Sequence, residues 1–140
     1  MSNGIYDFAR YMLSTGNLDW RAADMVLTAW SGVPTFNPAH RIVSDLSIAV
    51  GAANKLGDSL PIVDSTVDSE GYNQTSAVVI QGVAASKQVT YFTMSLRNAV
   101  PDQSELLLFV DTADGLPFVS NNLEIVVIPD WAEARGWFRA

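Results

Sequence analysis

No cysteine occurs among the 140 residues of this chain. That absence excludes a disulfide framework, thiol catalysis and thiolate-bound metal, and it suits assembly in a reducing compartment. Charge is scarce too, at 16 % of residues, against about 25 % in average soluble domains. Basic residues are the scarcer kind, eight against fifteen acidic ones, for a net charge of −7. This balance opposes contact with phosphate backbones, and Lys and Arg never cluster, so no nucleic-acid partner is expected. No apolar run approaches the ~18 residues of a membrane-spanning helix. The opening MSNGIYDFAR has neither the basic start nor the apolar core of a signal peptide. Synthesis in a cytoplasm, with no membrane partner, is the expectation. Gly-x-x-x-x-Gly-Lys and Gly-x-Gly-x-x-Gly are both missing, which leaves nucleotide binding without support.

Apolar residues, by contrast, make up 49 % of the chain. A chain of this length falls within the usual size of one domain and can bury about 68–70 % of the surface its unfolded form exposes. One domain covering residues 1–140 is expected. The shortage of charge has two explanations. Its surface is ordinary polar Ser, Thr, Asn and Gln, or part of it is covered by partner subunits, since permanent interfaces are depleted of charge.

Near the start, Ile5, Phe8, Ala9, Met12 and Leu13 recur at the spacing of one helical face, which predicts an amphipathic helix over about residues 3–15. Ser2 or Asn3 is the candidate cap and Gly16 the terminator. Residues 25–30, MVLTAW, predict a strand. The following SGVPTFNP is a loop, because Pro34 and Pro38 cannot serve a central ladder. Shorter strand candidates lie at 46–50 and 60–63. From residue 76 onward strands dominate, at 76–83, 89–96, 105–110 and 123–128, each rich in β-branched or aromatic residues and bounded by turn formers. Short strands at this spacing, one terminal helix and no βαβ rhythm predict a mainly β fold, a β-sandwich or jelly-roll-like barrel.

Candidate chemistry is thin. Asp111-Thr-Ala-Asp114-Gly115 carries two carboxylates but lacks the alternating ligands and distant glutamate of a calcium loop. It reads as a turn, since Asp bonds nearby amides and Gly tolerates positive φ. A second acidic stretch, from Asp64 through Asp68 to Glu70, reads as a solvated loop. Any two of these carboxylates could serve a hydrolase as acid and nucleophile, and only geometry would single out a pair. His40, the one histidine, would have to supply any triad, yet no Gly-x-Ser-x-Gly elbow accompanies it. Asn73-Gln-Thr75 has the form of a glycosylation acceptor and, without a secretion signal, reads as a chance match. No catalytic residue, metal or cofactor is expected.

Aromatic side chains are better organised. Trp30 and Phe36 flank the early strand and loop, with Val33 between them, and Trp131, Trp137 and Phe138 crowd the last ten residues. In a monomer such groups are core anchors. At an interface they are the large amphipathic side chains that concentrate binding energy. These six residues are the candidate protein-interface set.

The ending LLLFVDTADGLPFVSNNLEIVVIPDW, followed by Gly136-Trp-Phe138, resembles a group of small structural proteins encoded by tailed bacteriophages. The start is similar to theirs as well: Asn3-Gly-Ile-Tyr, a helix ending in Thr15-Gly16, then Leu18-Asp19-Trp20 and a strand. Between residues 40 and 85 the likeness runs only through Leu56-Gly57 and Gly71. The resemblance carries over no active site. It implies a virion component, foremost a head decoration or cement protein on the outer capsid surface that binds the major capsid protein and its own copies. Alternatives are a neck or tail component, a receptor-binding fibre domain, or a carboxylate-dependent hydrolase.

Overall fold

The computed structural model describes residues 4–67, 69–70, 72–111, 116, 118–120 and 124–127, and the backbone of 138–139. Among these, the chain is mainly β, in antiparallel sheets, with two α-helices.

At the N-terminus, β1 (Gly4–Ile5) pairs with Phe109 and Leu108. Helix α1 (Asp7–Thr15) follows at once. It starts later than its apolar spacing predicts, because residues 4–5 extend the sheet edge and Tyr6 N–H is bound to Leu107 O at 3.0 Å. Asp7 in the first turn complements the helix dipole. Gly16 ends the helix as predicted, at φ 75°, a conformation that costs glycine little. Asn17 N–H then reaches back to Met12 O at 2.9 Å.

The main sheet has the order β1-β9-β8-β2-β3. Its members are β2 (Met25–Trp30), β3 (Lys55–Asp58), β8 (Tyr91–Leu96) and β9 (Glu105–Val110), besides β1. The bounds of β2 and β9 match the sequence prediction. Smaller antiparallel sheets are built from β4 (Thr66–Val67), β5 (Tyr72–Gln74) and β12 (Phe138–Arg139), from β6 (Val78–Ile80) with β11 (Ile125–Val127), and from β7 (Gln88–Val89) with β10 (Phe118–Val119).

One predicted strand is a helix instead. Residues 46–50 belong to α2 (Val43–Val50), whose Val43, Leu46 and Val50 fall on one helical face and pack together. The carboxylate of Asp45 fixes the start by accepting from the N–H groups of Arg41 and Ile42, at 3.0 and 3.1 Å. Residues 60–63 are also irregular: Leu60 and Ile62 each donate one backbone bond, to Val79 O and Met25 O, without forming a ladder.

Both faces of the main sheet are covered, which explains why its strands are so apolar. On one side Met25, Leu27 and Ala29 of β2 and Phe92 and Met94 of β8 meet α1 through Ala9 and Met12, and meet β6 and β11 through Ile80 and Ile125. The other side holds Trp30, Tyr91, Leu106 and Phe109 under α2. An irregularity in β9 serves both cores. Met94 pairs with Leu108 but Ser95 pairs with Leu106, so Leu107 is the extra residue of a bulge. Leu107 and Leu108 therefore join the α1 side, while Leu106 and Phe109 join the α2 side.

Candidate functional site

The six candidate interface residues do not share one environment. Trp30 is fully buried and stacks at 6.0 Å on Tyr91. It is a core anchor and presents nothing to a partner. Phe36 is half-buried, with its ring 5.1 Å from Tyr6 and 5.2 Å from Phe109. A Cβ on Gly4 would come within 2.6 Å of that ring, so glycine there is what lets Phe36 lie across β1. Val33 is 81 % exposed. Trp131 and Trp137 lie outside the described residues, as does the side chain of Phe138, whose backbone pairs with Asn73.

The loop that carries Val33 is held firmly at its base. Ser31 N–H donates to Asn54 O at 2.9 Å, and the Thr90 hydroxyl donates to Gly32 O at 2.7 Å. At the apex, Thr35 Oγ1 donates to Val33 O at 3.0 Å. The base of the loop is thus tied to neighbouring segments while the Val33 side chain at its apex lies exposed to solvent. Ile48 on α2, which sequence reasoning did not single out, is 82 % exposed. Its signal was legible as an isoleucine off the face of Val43, Leu46 and Val50, but only once that segment is known to be helical.

The acidic stretches remain dispersed where they are described. Asp64 accepts from the Ser76 hydroxyl at 2.6 Å. Asp111 directly follows β9, whereas Asp68, Asp114 and Gly115 lie outside the described residues. Among the described residues, no group of three His, Asp or Glu is placed to hold a metal. His40 is half-buried next to α2, and its backbone N–H donates to Asn37 O at 3.0 Å. The Asp45 carboxyl is held below its ordinary value by the N–H groups of Arg41 and then Ile42, with His40 adding to the effect against the opposing pull of burial. Asn73 is buried, which removes it as a glycan acceptor in the folded chain.

A feature not anticipated from the sequence lies on the α2 side of the main sheet, beyond the aromatic cluster. There an open cleft of about 520 Å³ has Val26, Thr28 and Ser95 among its lining residues. Lys55 and Asp58 border it, 3.7 Å apart, and so do Arg97 and Asp24, 3.2 Å apart. Thr28 donates to Asp58 at 2.6 Å. Ser95 is buried, and among the described residues its Oγ has no partner. The available signal was the alternation within β2 and β8, where Thr28, Thr93 and Ser95 interrupt otherwise apolar strands.

No protein-family model, no curated protein and no solved structure matches this chain. Among the described residues, no helix is long and apolar enough to cross a membrane.

Proposed function

We propose that this chain is a structural component of a bacteriophage virion, a capsid decoration protein that binds the outer shell and bridges neighbouring capsid subunits. The observation that carries the proposal is the pairing of a rigidly based loop with an outward apolar apex. Val33 and Ile48 stay exposed in a molecule that buries Trp30, Tyr91 and Phe109 completely or nearly so. Apolar side chains held out on fixed backbone suit docking to a protein surface, because little entropy is lost when they are covered.

Other features agree. The resemblance at both ends of the chain is to phage structural proteins. A net charge of −7 favours the outside of a shell over its DNA-filled interior. The larger core, between the main sheet and the β6–β11 and β7–β10 pairs, supports a sandwich-like module, stiff enough for several weak contacts to add through effective concentration. In this role the chain contacts the major capsid protein and its own copies, and performs no chemistry.

The direct test mixes the purified chain with heads that lack it and follows co-sedimentation. Saturable binding at a fixed ratio to the major capsid protein is expected, weakened by Val33→Asp and Ile48→Asp. Failure of the unaltered chain to bind heads while it binds tail tips or purified host glycans would replace the shell with a neck, tail or fibre location.

A further inference from the structure

The cleft beside Ser95 has two features of a ligand site. Its volume of about 520 Å³ falls within the range of small-molecule sites, roughly 300–1,000 Å³. A hydroxyl buried without a partner is normally a cost to the fold, and Ser95 Oγ is such a hydroxyl among the cleft's lining residues.

The lining specifies the chemistry of the occupant. Asp24 and Asp58 are offset by Arg97 and Lys55, so the cleft is neutral in a chain of net charge −7. A formally charged ligand has no net field to draw it in. Capacity for hydrogen bonding is nevertheless high. The Lys55–Asp58 distance of 3.7 Å is too long for a hydrogen bond, which leaves the ammonium donors and one carboxylate oxygen available. Arg97 engages Asp24 through Nε, leaving its terminal N–H groups.

Strand β2, along the floor of the cleft, offers no backbone edge to an extended peptide, because it is paired with β8 along its whole length, from Met25 with Leu96 to Trp30 with Tyr91, and with β3 on its other side. The side chains that border this floor include two acid–base pairs. Vicinal hydroxyls match such pairs, one donating to the carboxylate while its neighbour accepts from the cation. Asp24 stands four residues before Thr28, the partner of Asp58, so the two pairs are separated by ~13 Å along β2. One pyranose ring cannot reach both.

We propose that this cleft binds a short neutral oligosaccharide, with Lys55–Asp58 and Arg97–Asp24 gripping hydroxyls at its two ends and Ser95 Oγ meeting one between them. The proposal is independent of the shell-binding role.

Saturation-transfer NMR on the full chain tests it, with neutral di- and trisaccharides, an acidic disaccharide and a Gly/Ser peptide as probes. The neutral sugars are expected to bind with a Kd on the order of 1 mM, and Ser95→Ala to weaken them about tenfold while leaving the melting temperature equal or higher. Lys55→Met, at the sheet edge, is expected to weaken binding likewise and serves if Ser95→Ala fails to fold. No transfer from any neutral saccharide, equal transfer to both variants, or preference for the acidic sugar or the peptide would each overturn the proposal.

Discussion

Trp30 at the end of β2 donates its indole N–H to Thr93 Oγ1 on β8 at 2.8 Å, with both side chains shut off from solvent. The ladder pairs Trp30 with Tyr91 and Thr28 with Thr93, so the bond runs diagonally across the α2 face of the sheet. It satisfies the one polar group of the indole inside an aromatic cluster. Replacing Thr93 by Val preserves shape and strands that N–H, which is expected to cost about 1–3 kcal/mol. Urea unfolding should show a lower midpoint at unchanged slope. In a double-mutant cycle with Trp30→Phe the two losses should be non-additive by about 0.5 kcal/mol or more; additive losses would show that the bond contributes nothing.

Helix α2 depends on Asp45. Its carboxylate satisfies the N–H groups of Arg41 and Ile42, and Asp45→Ala is expected to cost about 0.5–2 kcal/mol, as for other caps. Because these bonds lower the folded-state pKa, the contribution is fully present above the unfolded value of about 3.9 and is lost as pH falls through the lower folded value. The stability gap between the parent chain and Asp45→Ala should therefore be constant at neutral pH and close in acid. A gap that persists in strong acid would assign the effect to something other than the carboxylate.

Two tyrosines make the protein sensitive to alkali. Burial pushes Tyr91 up from 10.0 to about 12, and it pushes Tyr6 further still, with Tyr91 adding to the effect. Stability is fully present below the unfolded value near 10 and is lost as pH rises through the folded one. Neither hydroxyl has a hydrogen-bond partner among the described residues, so Tyr91→Phe should be neutral or stabilising at pH 7. It should also reduce the alkaline loss, as measured by chemical unfolding at a series of pH values. A cost above ~1 kcal/mol at neutral pH would reveal a partner for that hydroxyl.

Exposed apolar residues should behave in the opposite way to the core. Val33→Asp is expected to change stability by no more than about 0.5 kcal/mol while weakening attachment to heads. Leu46→Ala, on the buried face of the same α2 that carries Ile48, should cost about 2–5 kcal/mol. Thermal melts alongside head binding separate the two effects, and retention of binding by Val33→Asp would remove that loop from the contact.

Calcium or a chelator is expected to move the melting temperature little. The described part of the acidic stretches spends its carboxylates within the chain, as in Asp64 with Ser76. A large calcium-dependent rise would reinstate a metal site through ligand linkage.

Much of this architecture was legible in the sequence. Strands β2 and β9 follow from dense β-branched and aromatic runs, and Gly16 marks the end of α1 because positive φ suits glycine. Helix α2 was missed since Val43, Ile48 and Val50 favour strands locally, while the stabilising contacts come from Asp45 and from a sheet distant in sequence. The fate of Trp30 was ambiguous for a similar reason. An indole beside a loop fits an interface or a core, and its acceptor, Thr93, lies 63 residues away. No motif announces the Ser95 cleft, since its residues come from β2, β3, β8, the start of α2 and the segment that follows β8, and converge only when the sheet and α2 come together.

Locating this chain in a reconstruction of the intact virion, with its copy number, tests the central claim most directly. The account predicts density on the outer shell at symmetry-related positions, in near-stoichiometric ratio to the major capsid protein, with the Val33 loop at a subunit contact. Absence from the particle, or a few copies confined to the neck or tail, would contradict it.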